Sequence, residues 1–213
     1  MTIRFSIAAC ALLASVSCGP KALELPADPI DRAATCGVVA AAETRSASGD
    51  IKSALPFDAQ TKILHHALLA GAQGDSFEPE KAGAVSQRMQ ELQDAITSGK
   101  WRDLAPGCRA AFPQAEIKEV TLPADRFDAQ LGCDELADFL ATAMASQEKD
   151  YSERMGEFSD LTRKFNATLG PGLRSRVGAD LDAQRDERRK ALARTAKLGS
   201  PAAVMRQCVE KFG

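Results

Sequence analysis

The chain has 213 residues, a formal net charge of −2 and a pI near 5.8. A balance this close to neutral excludes bulk nucleic-acid binding. Aromatic residues make up only 5%, with one Trp and one Tyr, so the chain favours helices of small side chains that bury little area each and need staples.

Taken in chain order, the N-terminus reads as a secretion signal over residues 1–17. Arg4 supplies the positive region, and Phe5 to Val16 form an apolar stretch of the usual length for an exported leader. It is too short to span a bilayer, which needs ~20 apolar residues. The following Ala14-Ser15-Val16-Ser17-Cys18-Gly19 resembles a bacterial lipoprotein signal, with small residues leading to a cysteine that takes lipid. Ser15 departs from the leucine most often found there. The resemblance implies lipidation at Cys18, and Gly19 is not the aspartate that holds such proteins at the inner membrane. The implied placement is a periplasm-facing lipoprotein of the outer membrane, with residues 18–24 as the tether. Cysteine parity agrees: Cys10 leaves with the signal and Cys18 carries lipid, leaving four, an even set for an oxidising compartment.

From residue 25 onward one frame occurs twice. Leu25-Pro26-Ala27-Asp28 precedes Cys36, and Leu122-Pro123-Ala124-Asp125 precedes Cys133 at the same distances. Each copy closes on a second cysteine, Cys108 or Cys208, followed four positions later by Phe112 or Phe212. The division is therefore a first repeat over 25–113, a linker over 114–121 and a second repeat over 122–213. Four cysteines allow three connectivities. If each unit is an independent copy, Cys36 pairs with Cys108 and Cys133 with Cys208, tying the first helix of a unit to its last.

The first helix of each unit opens on an aspartate cap, Asp28 or Asp125, with a second acid three residues on, Asp31 or Asp128. That is the spacing of a reciprocal capping box. Pro29 suits the first helical position. Asp58 to Ala72 carries apolar residues at helical spacing, and Glu78 to Ser98 places Val85, Met89, Leu92 and Ile96 on one face before stopping at Gly99. Leu104, Cys108 and Phe112 match Val204, Cys208 and Phe212 at i, i+4, i+8, and Pro106 predicts a kink or a start in the first of these helices. In the second copy, Tyr151 to Leu169 forms a stripe that Gly170-Pro171-Gly172 is expected to end. A charged helix from about Leu173 to Lys197 should follow, burying Leu173, Val177, Leu181 and Leu192. The fold class is all-α: two tandem helical-bundle repeats of about four helices each, each stapled by one disulfide.

Chemistry-bearing motifs are sparse. His65 and His66 are the two histidines; neighbours on a helix point about 100° apart and cannot share a metal, so surface or core-edge positions are expected. There is no Cys-x-x-Cys, no nucleophile elbow and no phosphate loop. No catalytic residue, cofactor site or metal site is assigned. The charged helix presents Arg185, Arg188, Arg189 and Lys190, either as a solvated face of i, i+4 pairs or as a docking face. Trp101 is either core or a partner anchor. The expectation is a lipid-anchored, non-catalytic binding or adaptor module for an envelope protein or an anionic envelope polymer. The alternative is a periplasmic bundle binding a small apolar molecule near Trp101 or Tyr151; an enzyme ranks third.

Overall fold

A computed structural model describes residues 24–48 and 54–213. The signal, Cys18 and most of the tether lie outside these residues. Four helices precede the linker: α1 (Pro29–Ser48), α2 (Phe57–Gly71), α3 (Pro79–Thr97) and α4 (Trp101–Ala111). Four follow it: α5 (Arg126–Ala143), α6 (Ser152–Val177), α7 (Leu181–Ala196) and α8 (Pro201–Phe212). Among the described residues there is no strand, and no helix is long and apolar enough to cross a membrane.

The helix starts follow from their caps. Asp28 Oδ1 accepts from the N–H groups of Ile30 and Asp31 at 2.9 Å, and Asp125 Oδ1 accepts from Asp128 at 2.9 Å. Ser200 caps α8 in the same way. The second acids do not reach back as a capping box would. Arg88 Nε donates to Asp31 Oδ1 at 2.7 Å, and Arg176 Nη1 donates to Asp128 Oδ1 at 2.6 Å. A bond between two ionised groups, carboxylate and guanidinium, wins over one from the carboxylate to a neutral backbone N–H.

Two helices sit at the centre. α1 buries every residue from Ala33 to Ala40, and α5 buries every residue from Ala129 to Asp134. Burial on all sides is the mark of an internal helix, and the small residues let neighbours approach closely. α2, α3 and α4 pack around α1, and α6, α7 and α8 around α5. Cys36–Cys108 joins α1 to α4 with Cα atoms 5.3 Å apart, and Cys133–Cys208 joins α5 to α8 at 5.9 Å. The pairing expected from the repeated frame is the one formed.

The main core runs through both halves, from Ala33 and Leu68 to Leu136, Phe165 and Met205. A smaller cluster lies around the first disulfide, with Val39, Trp101 and Leu104. The seam between the halves is polar as well as apolar. Tyr151 Oη donates to the carbonyl of Leu55 at 2.8 Å and Phe77 N–H to Arg189 O at 3.1 Å, while Ser200 N–H holds the linker through Ile117 O at 2.9 Å.

One proline expectation needs correction. α6 continues through Gly170-Pro171-Gly172 and ends only at Gly178, whose φ of 83° suits glycine. α4 starts at Trp101, five residues before Pro106, and runs through it. In both helices the proline is exposed, so the carbonyl deprived of its N–H faces water, while buried neighbours (Leu169 and Leu173; Leu104, Ala105 and Cys108) hold both flanks to the core. Gly172 has a packing role, because any Cβ there would overlap the Phe127 ring. The charged helix is consequently shorter than expected. Leu192 is buried on it, but Leu181 is 67% exposed.

Candidate functional site

A wide opening lies in the first half, between α1, α2, α3 and the start of α4. It is a groove of about 400 Å3, within the range of small-molecule sites. Its origin is side-chain volume. The face of α1 that forms its floor carries Gly37, Val38, Ala41 and Ala42, too small to fill the space. α3 buries only Ala82 and Val85 near its start, while Met89, Leu92 and Ile96 are half-buried. Gly37 lets the tip of Met89 touch the α1 backbone, since a Cβ there would overlap it.

Trp101 walls this groove with 9% of its surface exposed. The Arg102 guanidinium lies over its ring, 4.4 Å from the centroid, an attractive cation–π geometry. A second, shallower depression of about 300 Å3 flanks the same Trp101 and Arg102 on the α4 side. Leu55 bounds the groove where the second half's Tyr151 holds its carbonyl. Two arginines, Arg45 and Arg102, line the groove; among the described residues no Asp or Glu does. Gln60, Gln90 and Gln93 supply its polar lining.

Two other clefts differ in charge. One of about 210 Å3 lies between the halves, floored by Phe57, Phe158 and Met205. Both arginines of its rim are already paired, Arg206 with Asp58 at 3.2 Å and Arg154 with Glu157 at 2.9 Å, and Glu210 adds a third acid. The other, about 340 Å3 between α5 and α6, carries Asp138 and Arg163. Arg163 is paired with Asp160 at 3.0 Å.

The basic residues singled out on α7 do not form one patch. Arg188 points inward to α5, donating to Asp134 Oδ2 at 3.1 Å and to Glu135 Oε1. Burial pushes the Asp134 and Glu135 carboxyls above the usual range, against the pull of Arg188. Asp134 Oδ1 is buried with no hydrogen-bond partner among the described residues. Arg188 is therefore a strut between α5 and α7. Arg185 pairs with Asp182 at 2.8 Å and Lys190 with Asp186 at 2.6 Å, both on α7. Arg189 is exposed, and its carbonyl takes the Phe77 N–H.

The histidines are not at the surface or the core edge. His65 is fully buried and His66 is 3% exposed. His65 Nε2 bonds the carbonyl of Ala196 at 2.8 Å, across the seam to α7; His66 Nδ1 bonds the Lys62 carbonyl at 3.0 Å and its ring meets Phe112 edge-on. Burial lowers both to about 4, with mutual repulsion adding to the shift of His66. They are neutral core residues.

The groove residues Arg102, Gln90 and Gln93 were not singled out by the sequence. A signal was present: Gln90 and Gln93 stand one helical turn apart on α3, across the groove from the small face of α1. Among the described residues no three His, Cys, Asp or Glu side chains gather where they could hold a metal. No protein-family model matches the chain, and neither a curated protein nor a solved structure shows significant similarity to it.

Proposed function

We propose that this chain is an exported, non-catalytic binding module of the bacterial envelope, anchored by lipid at Cys18, whose binding site is the groove of the first half. The observation that carries the site is the open groove of about 400 Å3 walled by Trp101. Export is supported by the signal-like N-terminus together with the two disulfides, bonds typical of chains that mature in an oxidising compartment. Lipidation is tested by the intact mass of protein extracted from envelopes, where a mature chain without acyl groups overturns the anchor.

The binding reading has a built-in probe, because Trp101 is the only tryptophan. Titration with the uncharged fluorophore N-phenyl-1-naphthylamine should give saturable energy transfer from Trp101. Ala41→Phe, which fills the floor, should abolish it. No saturable transfer in the parent chain, or equal transfer in Ala41→Phe, removes the groove as the site.

A second reading, an adaptor for an envelope protein or an anionic polymer, draws on the exposed Arg189, which has no ion-pair partner among the described residues. Cross-linking in cells should then capture one dominant partner that is lost on Arg185→Glu with Arg189→Glu. Capture unchanged by that pair of substitutions removes α7 as the docking face.

A further inference from the structure

We infer that the groove takes a single-chain anionic amphiphile, its apolar chain lying along the α1 floor and its carboxylate held at the mouth by Arg102. The inference rests on the groove being the binding site and adds the class of ligand. Three features of the lining select it.

The first is charge. Among the described residues the lining holds no acid, while Arg102 stands at its mouth. Both other clefts carry both signs. The second is the state of Arg102. It is exposed and stacks on Trp101, and among the described residues no carboxylate pairs with it. Its N–H fork is held in place yet open to a ligand anion, the arrangement in which arginine binds carboxylate in two-pronged fashion. The third is the floor. Val38, Leu55, Ile63, Met89 and Trp101 present carbon to the groove, and a ligand without an apolar chain would leave that surface wet.

Size narrows the class further. About 400 Å3 stands near the lower end of small-molecule sites, enough for one chain rather than the pair carried by a membrane lipid. Among the described residues no carboxylate in the lining complements a cation, which would meet only amide and hydroxyl oxygens there. An uncharged chain would bind the floor but forgo the arginine.

The test displaces N-phenyl-1-naphthylamine from the mature protein with three ligands of equal chain length, below micelle formation at pH 8: dodecanoate, dodecanol and dodecylammonium. Dodecanoate should bind about tenfold more tightly than dodecanol, since a hydrogen-bonded charge is worth on the order of one decade in affinity. Dodecylammonium should bind most weakly. Arg102→Gln should remove the preference for dodecanoate while leaving dodecanol unchanged, and Arg102→Lys should restore part of it. Gln93→Glu, an exposed change that brings an acid to the lining, should reverse the order of the two charged ligands. If dodecanoate and dodecanol bind alike, or Arg102→Gln leaves their ratio intact, the ligand class is wrong and the groove reading stands. If none of the three displaces the fluorophore, or Ala41→Phe binds them as the parent does, the groove reading falls with it.

Discussion

The two halves share a staple and a helix order, yet the first opens its groove over small side chains, while the second, beside its own cleft between α5 and α6, packs a core of large ones. Of the twelve largest fully buried side chains among the described residues, nine belong to the second half: Met205, Met144 and Phe165, with Leu131, Leu136, Leu140, Leu161, Leu169 and Leu173; the first half supplies Leu68, His65 and Val39. α6 drives its leucines and phenylalanines onto α5, whereas α3 fully buries only Ala82 and Val85 and leaves Met89, Leu92 and Ile96 half-buried. Each fully buried leucine or phenylalanine contributes about 1.5–3 kcal/mol. The second half therefore holds the fold, and the first is free to leave space. Charge follows the same division. Arg88 reaches Asp31 on the exposed side of α3 in the first half, while Arg188 is drawn in to Asp134 and Glu135 in the second.

Acid should break this division most strongly, because both histidines belong to the first half. Their folded pKa of about 4 lies below the unfolded 6.5, so the unfolded chain takes up the proton first. Stability is complete above pH 6.5 and falls as the pH drops toward 4, by about 3 kcal/mol for each histidine. The Asp134 and Glu135 carboxyls, held above their usual range, gain protons more readily in the folded chain and offset part of this loss. Urea unfolding at pH 7.5 and 4.5 should give a much lower midpoint at the acid pH. His65→Leu with His66→Leu should flatten the difference; a slope unchanged in that variant would place the acid sensitivity elsewhere.

The staples offer a smaller and more direct contrast. Their loops close 72 and 75 positions, so loop-closure entropy assigns each roughly 4 kcal/mol. Packing separates them: Cys133 and Cys208 are fully enclosed in the shared core, whereas Cys36 and Cys108 belong to the small cluster beside Trp101. Cys133→Ala with Cys208→Ala should therefore cost more than Cys36→Ala with Cys108→Ala in denaturant unfolding. The first-half variant should in addition shift the emission of Trp101. Equal losses, with no change in emission, would mean that the two staples are interchangeable and that the halves do not differ in how they are held.

Much of this was legible in the chain. The repeated Leu-Pro-Ala-Asp frame led to the disulfide pairing, and Asp28, Asp125 and Ser200 cap where their residue types suggest. Local signals failed where tertiary contacts outweighed them. Pro171 looked like a stop, but a proline on the wet side of a helix leaves only a hydrated carbonyl unpaired, and Leu169 and Leu173 keep the helix docked. Arg188 stands among similar basic neighbours, and only the placement of Asp134 and Glu135 across α5 distinguishes it. The histidines carried no local sign of burial; they are buried because α2 lies against α7 and His65 finds the Ala196 carbonyl there. The groove is a property of three helices at once and has no linear motif. Its trace was an absence, small residues on α1 facing glutamines on α3.

The smallest effect concerns how far the groove depends on the other half. Tyr151, the chain's one tyrosine, is anchored by Phe57 at a ring separation of 5.9 Å, and its hydroxyl donates to the carbonyl of Leu55, a residue of the groove wall. Tyr151→Phe keeps the ring and deletes the hydrogen bond, leaving a buried carbonyl without its donor. Stability should fall by about 1 kcal/mol. If the second half holds the wall in place, the same change should also weaken N-phenyl-1-naphthylamine binding, by about threefold. Loss of stability with binding unchanged would make the groove complete within the first half, with Tyr151 serving only the seam. Weakened binding would tie the two halves into one device, in which the densely packed half sets the shape of the half that binds.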